Sequence, residues 1–360
     1  MKKSFVAARL VIACSLIVSL THCNKKDKVI DTPAMHQSFT VVTFVSSDAT
    51  IAATRIDAHL LNAWGMSFSP TGTAWISSEA DHSSAVYNAV TGGQTLAAVA
   101  IPSSTATTGG SPTGQVFNSG TGFTLPNGNP ARFIFAQTDG IISGWNGGTN
   151  AIVKVDRSGT SVYLGLAIGA NGTDTLLYAA DFKSGKIDVF NRNWVLQTMT
   201  FTDPSLPSGY SPFNIQNIGG QLYVMYAKVD PSTHEEMKGA GLGIVDVYAT
   251  NGSFVKRLVT GGSLNAPWGI AQAPSGWLTG AASSTVILVG NFGDGHVNAY
   301  DASTGAWLGT LQSNGTVITI DGLWSISFAP STATTVNQDW LFFAAGPADE
   351  TKGMFGYITK

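Results

Sequence analysis

The sequence predicts an all-β chain, a six-bladed β-propeller of four-stranded antiparallel blades. Three observations carry that prediction. A unit of short strands recurs along the chain at an interval of roughly 50 residues, the span of one propeller blade. The strands are rich in β-branched and aromatic residues and are bounded by Gly, Asn, Asp and Pro, which is strand and turn chemistry. The last unit runs out of chain before its fourth strand, and an isolated β-segment near the amino terminus supplies one.

The innermost strands are expected at 64–68, 113–117, 164–168, 213–217, 268–272 and 324–328, most of them opening on an aromatic residue or a glycine. Innermost strands converge on the propeller axis, where glycine lets backbones approach. Trp64, Phe213, Trp268 and Trp324 open these strands. They are expected to pack between blades, with an aromatic ligand platform as the alternative. Second strands follow at 74–77, 133–136, 177–180, 222–225, 287–290 and 341–344, and third strands at 85–87, 142–145, 187–190, 245–248, 297–300 and 355–358. Fourth strands include 96–101, 195–201, 254–259 and 307–311. The segment 39–45, Phe-Thr-Val-Val-Thr-Phe-Val, is expected to lie against 355–358 and close the ring. Closure removes the unpaired sheet edges that invite aggregation.

Residues before this body read as a targeting segment. Lys2, Lys3 and Arg9 precede an uncharged, mostly apolar run over 10–20, too short to span a bilayer and suited to a signal peptide. Leu20-Thr21-His22-Cys23 follows and resembles a bacterial lipobox, with His22 where that pattern prefers a small residue. The expected division is a signal peptide at 1–22, a tether at 23–37 beginning at a lipidated Cys23, and the propeller at 38–360. Cys14 and Cys23 are the only cysteines, so the propeller is expected to be stabilised by packing without disulfides. Charged residues make up 11% of the chain and the net charge is −3, which argues against a nucleic-acid binder, since that needs a basic patch. Lys25, Lys26 and Lys28 form the one basic cluster, a solvated tether or a weak attraction to anionic headgroups. The expectation is a monomer at the cell envelope, periplasmic or surface-exposed, touching the membrane through its lipid only.

In a propeller, loops leading into the innermost strand and loops joining the second and third strands open on one face. That face is expected to gather Glu79, Asp81, His82, Asp139, Asp181, Asp230, Asn291, Asp294, Asp349 and Glu350, with Asn62, Asn214, Asn265 and Asp321 beside them. Oxygen ligands converging on the axis suit Ca²⁺ or another divalent cation. Asn214, Asn291, Asp321 and Asp181 are the candidate metal ligands. The alternative is turn chemistry, since Asp139-Gly140 and Asp294-Gly295 are ordinary turn signals. Glu79, His82, Asp139, Asp230, His234, Asp294, Asp349 and Glu350 are the candidate binding residues. The longest mouth loop, 229–241, ends in Glu236-Met237-Lys238-Gly239, which Glu350-Thr351-Lys352-Gly353 echoes. Long loops on a rigid scaffold are where binding residues concentrate. No G-x-S-x-G elbow, H-E-x-x-H pair or P-loop occurs. His82 and His234 are the histidines placed for acid–base work.

Asn265-Ala266-Pro267-Trp268-Gly269, Tyr210-Ser211-Pro212-Phe213-Asn214-Ile215-Gln216, Gly290-Asn291-Phe292-Gly293-Asp294-Gly295 and Ile320-Asp321-Gly322-Leu323-Trp324 resemble an uncharacterised family of exported bacterial propellers. So does Ala179-Ala180-Asp181-Phe182 with the strand after Gly185. The resemblance covers nearly all of the chain after the targeting segment. It implies a six-bladed fold similar to NHL-repeat and gluconolactonase-like propellers, and no established activity. Two functions follow as expectations. One is a non-catalytic recognition module that binds a protein or glycan through its mouth loops. The alternative is a cation-dependent, lactonase-like hydrolase using Asn214, Asn291 and Asp321.

Overall fold

A computed structural model describes residues 37–279 and 285–360, whose regular elements are all β-strands. Cys23 and the rest of the expected signal and tether up to residue 36 lie outside the described residues. Six sheets form the blades. Each runs from an innermost strand outward through antiparallel neighbours: Ala63–Phe68, Pro112–Phe117, Tyr163–Asn171, Tyr210–Ile218, Pro267–Gln272 and Leu323–Phe328 lie innermost in blades 1 to 6. Every one of these strands matches an expected segment, extended by a few residues.

The closure is as expected. Thr40–Ser46 pairs antiparallel with Met354–Thr359, with Val41 opposite Ile358 and Thr43 opposite Gly356. Arg55–Ile56 then adds a short parallel strand outside it. Phe44 anchors the closing strand between Tyr357 and Trp340, at ring-centroid distances of 5.0 and 5.9 Å. Just before the strand, Phe39 stacks on Trp277 at 4.8 Å and its amide donates to the Gln312 carbonyl. The amino-terminal segment thus ties blade 5 to blade 6.

One expected strand is largely absent. The outer strand of blade 3 is Leu196–Gln197 alone, not the whole of 195–201. Beyond it the chain leaves the sheet for the neighbouring blade. Phe201 packs edge-on against Tyr178 and Tyr248, and Asp203, buried, accepts the Arg257 guanidinium of blade 4. A ring between two blades and a buried ion pair replace the missing ladder bonds.

All six innermost strands share an irregularity near the mouth face. The register against the second strand shifts between Ala63 and Met66, Pro112 and Gln115, and Tyr163 and Gly165. It shifts again between Pro212 and Asn214, Pro267 and Gly269, and Leu323 and Ser325. A β-bulge leaves a residue unpaired and re-aims its side chain. The residues left out of register are Trp64 with Gly65, Thr113 with Gly114, Leu164, Phe213, Trp268 and Trp324. Immediately below, polar side chains bind adjacent innermost strands: Gln115 donates to the Gly65 and Trp75 carbonyls, Asn214 to Trp268, and Ser325 to Trp64, each at 2.8 Å. The axis is crowded enough that a Cβ on Gly65 would stand 2.1 Å from the Thr113 carbonyl oxygen.

Candidate functional site

The bulged residues build the floor of a cavity at the mouth. Trp64, Leu164, Phe213, Trp268 and Trp324 form one buried cluster with Phe182 and Phe292, which follow the second strands of blades 3 and 5. Trp324 lies at its centre, stacked on Trp64 at 3.8 Å and on Phe292 at 3.7 Å, with interplanar angles of 14° and 13°. Its indole N–H donates to Asn62 Oδ1 at 2.9 Å, and that of Trp268 to the Leu164 carbonyl at 3.2 Å. The Trp64 indole N–H is buried and has no partner. The sequence expectation of aromatic packing between blades holds, and two of the rings it named, Trp64 and Trp324, also face an open space.

That space has a volume of about 810 Å³, in the range of pockets that take small ligands. Trp64, Leu164, Phe182 and Trp324 line its base, and Lys183, His234, Glu235, Glu236, Lys238 and Glu350 line its walls. Blade 4 supplies most of the wall through the loop after Gln221–Lys228, which the bridge between Val229 and Glu236 folds back on itself. Blade 6 supplies Glu350 from a turn in which Ala348, Asp349 and Glu350 all have left-handed backbone, with φ of 57°, 49° and 64°. Asn62, His82 and His234, in other mouth loops, share that conformation. Such strain costs on the order of 1–3 kcal/mol per residue and concentrates at functional sites. Besides its own internal bonds, the blade 6 turn is held by side chains of other loops: the Ala348 amide donates to Asp321 Oδ2 at 2.9 Å, and Asn62 Nδ2 donates to Glu350 Oε2 at 2.9 Å.

The wall is acidic and partly dry. Burial pushes the Glu236 carboxyl up to about 7, with Glu350 and Glu235 adding to the rise and its backbone amide and Lys238 opposing it. Burial also raises Glu350, reinforced by Glu79 and Glu235 and opposed by the Asn62 amide and Lys238. The Lys238 ammonium stands 4.2 Å from the Phe292 ring centroid, within cation–π range.

Three of the four expected metal ligands have side-chain oxygens bonded to backbone amides within the protein. Asn214 spans blades 4 and 5 below the floor, its Oδ1 accepting from the Ile215 amide. Asp181 is buried and accepts from the Val162 and Ser184 amides and the Ser184 hydroxyl, capping a turn. Asn291 donates to the Ser263 carbonyl and to Asp294, and its Oδ1 is buried without a partner. Asp321 holds the blade 6 turn. Their oxygens mostly serve the backbone, the turn chemistry the sequence left open as the alternative. Among the described residues, no three His, Cys, Asp or Glu side chains are grouped to hold a metal ion.

Of the expected binding residues, His234 and Glu350 line the main cavity. Asp294, Asp349 and Glu350, with Asp321 and Lys238, surround an adjoining cavity of about 120 Å³. Glu79 touches the site through Asn62, whose Nδ2 donates to it at 3.2 Å. Asp230 and Asp139 serve their own loops, and His82 reaches the segment that enters blade 2. Asp230 accepts from Ser232 and Thr233, Asp139 from Ile141, and His82 Nδ1 contacts the Gly110 carbonyl at 3.1 Å. Of the echoed pair, Lys238 faces the cavity, whereas Lys352 pairs with Asp48 at 3.5 Å on the closing segment. The sequence pointed to the 229–241 loop that holds Glu235, Glu236 and Lys238 without placing these three among the binding residues, and the candidate residues omit Lys183, Phe182 and Phe292. Phe182 and Phe292 had a signal: each follows directly on a strand-ending Asp181 or Asn291.

No family model matches the chain. Among solved structures it is similar to the crystal structure of selenomethionine-substituted virginiamycin B lyase from Staphylococcus aureus, with a TM-score of 0.53, 13% identity, and coverage of 90% of this chain and 100% of that one. A streptogramin B lyase structure is similar at a TM-score of 0.52 and 12% identity, covering 89% of this chain and 97% of that one. At such identities the likeness is one of fold. Two proteins of Acanthamoeba polyphaga mimivirus are nearer in sequence. The uncharacterized protein R648 is 31% identical over 337 residues, 89% of this chain and 80% of its own length. The uncharacterized protein L690 is 32% identical over 337 residues, 89% of this chain and 85% of its own length. The chain belongs to the protein family that includes mimivirus R648 and L690.

Proposed function

We propose that the protein is a non-catalytic recognition propeller, held at a bacterial cell envelope by a lipid on Cys23, that takes a group from a protein or glycan into its mouth. The observation that supports it is the cavity of about 810 Å³, floored by stacked aromatic rings and walled by a polar loop. Such a combination gives apolar contact area below and orientation above. The envelope location draws on the lipobox-like Leu20-Thr21-His22-Cys23 alone. Glycan and peptide arrays probed with the purified protein test the binding. Retention on a defined set of ligands is expected, together with a rise in Tm when the ligand is present. Thr233→Trp, at the exposed rim of the cavity, is expected to abolish retention and leave the ligand-free Tm unchanged. A mouth-blocked variant that binds as well as the wild type overturns the reading.

A second reading is catalytic. Glu236, pushed to about 7, is matched to proton transfer near neutral pH, and two solved structures of similar fold are described as lyases. The cation-dependent hydrolase draws less support, because Asn214 and Asp181 are committed to backbone partners. Mass spectrometry of a retained ligand after prolonged incubation separates the two readings. Product that vanishes in Glu236→Gln makes the protein an enzyme; an intact ligand supports recognition.

A further inference from the structure

We propose that the mouth is selective for a small organic cation, a primary ammonium or guanidinium on a flat apolar body, with its charge beside Glu236 and Glu350 and its body on the Trp64–Trp324 floor. The inference rests on the binding reading of the mouth and names the ligand class.

The chain itself already sets a cation at this place. The Lys238 ammonium lies 4.2 Å from the centre of Phe292, a ring that continues the stack on Trp324 at 3.7 Å. Both Glu236 and Glu350 feel its charge. An aromatic face flanked by carboxylates attracts a cation by the ring quadrupole and by direct charge. Lys238 therefore acts as a tethered counter-ion in a space much larger than one ammonium. The charge balance points the same way. Glu235, Glu236 and Glu350 line the wall, Glu79 stands behind Asn62, and Asp294, Asp321 and Asp349 surround the adjoining cavity. Against them stand Lys183, Lys238 and His234. A cation relieves the repulsion among these acids, whereas an anion adds to it. Trp64, only 6% exposed, lines the cavity, and its indole N–H is buried without a partner.

Fluorine NMR titration of the purified protein with para-fluorophenethylamine, its neutral isostere para-fluorophenethyl alcohol and the anion para-fluorophenylacetate tests the idea. The amine is expected to bind about tenfold tighter than the alcohol, as one charge-assisted contact predicts, and the acetate not to bind. Glu350→Gln is expected to weaken the amine about tenfold and leave the alcohol unchanged, so alcohol binding reports that the variant is folded. Lys238→Met removes the internal competitor and is expected to strengthen the amine alone, a gain that misfolding cannot produce. Equal affinity for amine and alcohol, or no gain in Lys238→Met, overturns the cation inference while the mouth remains a binding site. Binding of none of the three, with bare glycan and peptide arrays, overturns the inference and the binding reading together.

Discussion

A carboxyl group in a half-buried wall, with like charges beside it, keeps its proton to higher pH than it would in water. At Glu236 this moves ionisation from the ordinary 4.5 to about 7. The consequence for stability has a definite sign. Between those values the unfolded chain has released a proton that the folded chain still holds, so stability falls as pH rises through the window and levels off above it. Glu236→Gln carries no such proton. Its Tm is expected to fall less than that of the wild type as pH rises from about 4.5 to about 7, which differential scanning fluorimetry across buffers checks. Parallel curves would mean that Glu236 ionises as freely as in water. Much of the residue-scale picture was illegible in the sequence. Glu236 lay in a loop singled out by its length, yet nothing local distinguishes it from Asp230, which faces solvent and caps its own turn. The difference comes first from the burial of Glu236 in the cavity wall and then from the charge of Glu350, a residue more than a hundred positions away in the chain.

At the scale of elements, the repeated bulge does more than the strands themselves. A regular innermost strand would alternate its side chains between the two faces of its blade. The register shift instead turns Trp64, Leu164, Phe213, Trp268 and Trp324 toward one another at the mouth. The sequence marked these positions as aromatic and glycine-rich and so located the crowding. It carried no sign of the bulge, which depends on the spacing of the second strand. The outer strand of blade 3 was misread for a related reason: residues 198–201 have strand composition, but Phe201 finds better burial between Tyr178 and Tyr248. The closing strand was read correctly because its alternation and its missing partner are both visible in one dimension. It is also tightly fitted. A Cβ on Gly356 would meet the Val42 carbonyl oxygen at 2.2 Å and the Phe343 ring at 2.8 Å. Gly356→Val is expected to cost about 1–3 kcal/mol by overpacking. The measurements are a lowered denaturant midpoint and faster hydrogen exchange over Thr40–Ser46. Unchanged exchange there would show that closure does not depend on this contact.

For the whole molecule, ring closure involves the amino-terminal part of the chain, and so does the anchor proposed above. The closing strand covers the edge of Met354–Thr359 that another chain could otherwise pair with, and a lipid on Cys23 would tether the closed ring by the segment that precedes this strand. Cys23→Ala is expected to move the protein from the membrane to the soluble fraction, read by fractionation and immunoblot; unchanged retention overturns the anchor. The sequence by itself determined the blade count, the strand positions and the closure. Those features follow from alternation and turn chemistry among residues close in the chain, and from a repeat that states itself six times. The tertiary structure decided the site. Trp64 of blade 1, Lys183 of blade 3, Glu236 and Lys238 of blade 4, and Glu350 of blade 6 meet across the ring. Their meeting depends on bulges and left-handed turns held by packing between blades, which no local stretch of sequence specifies.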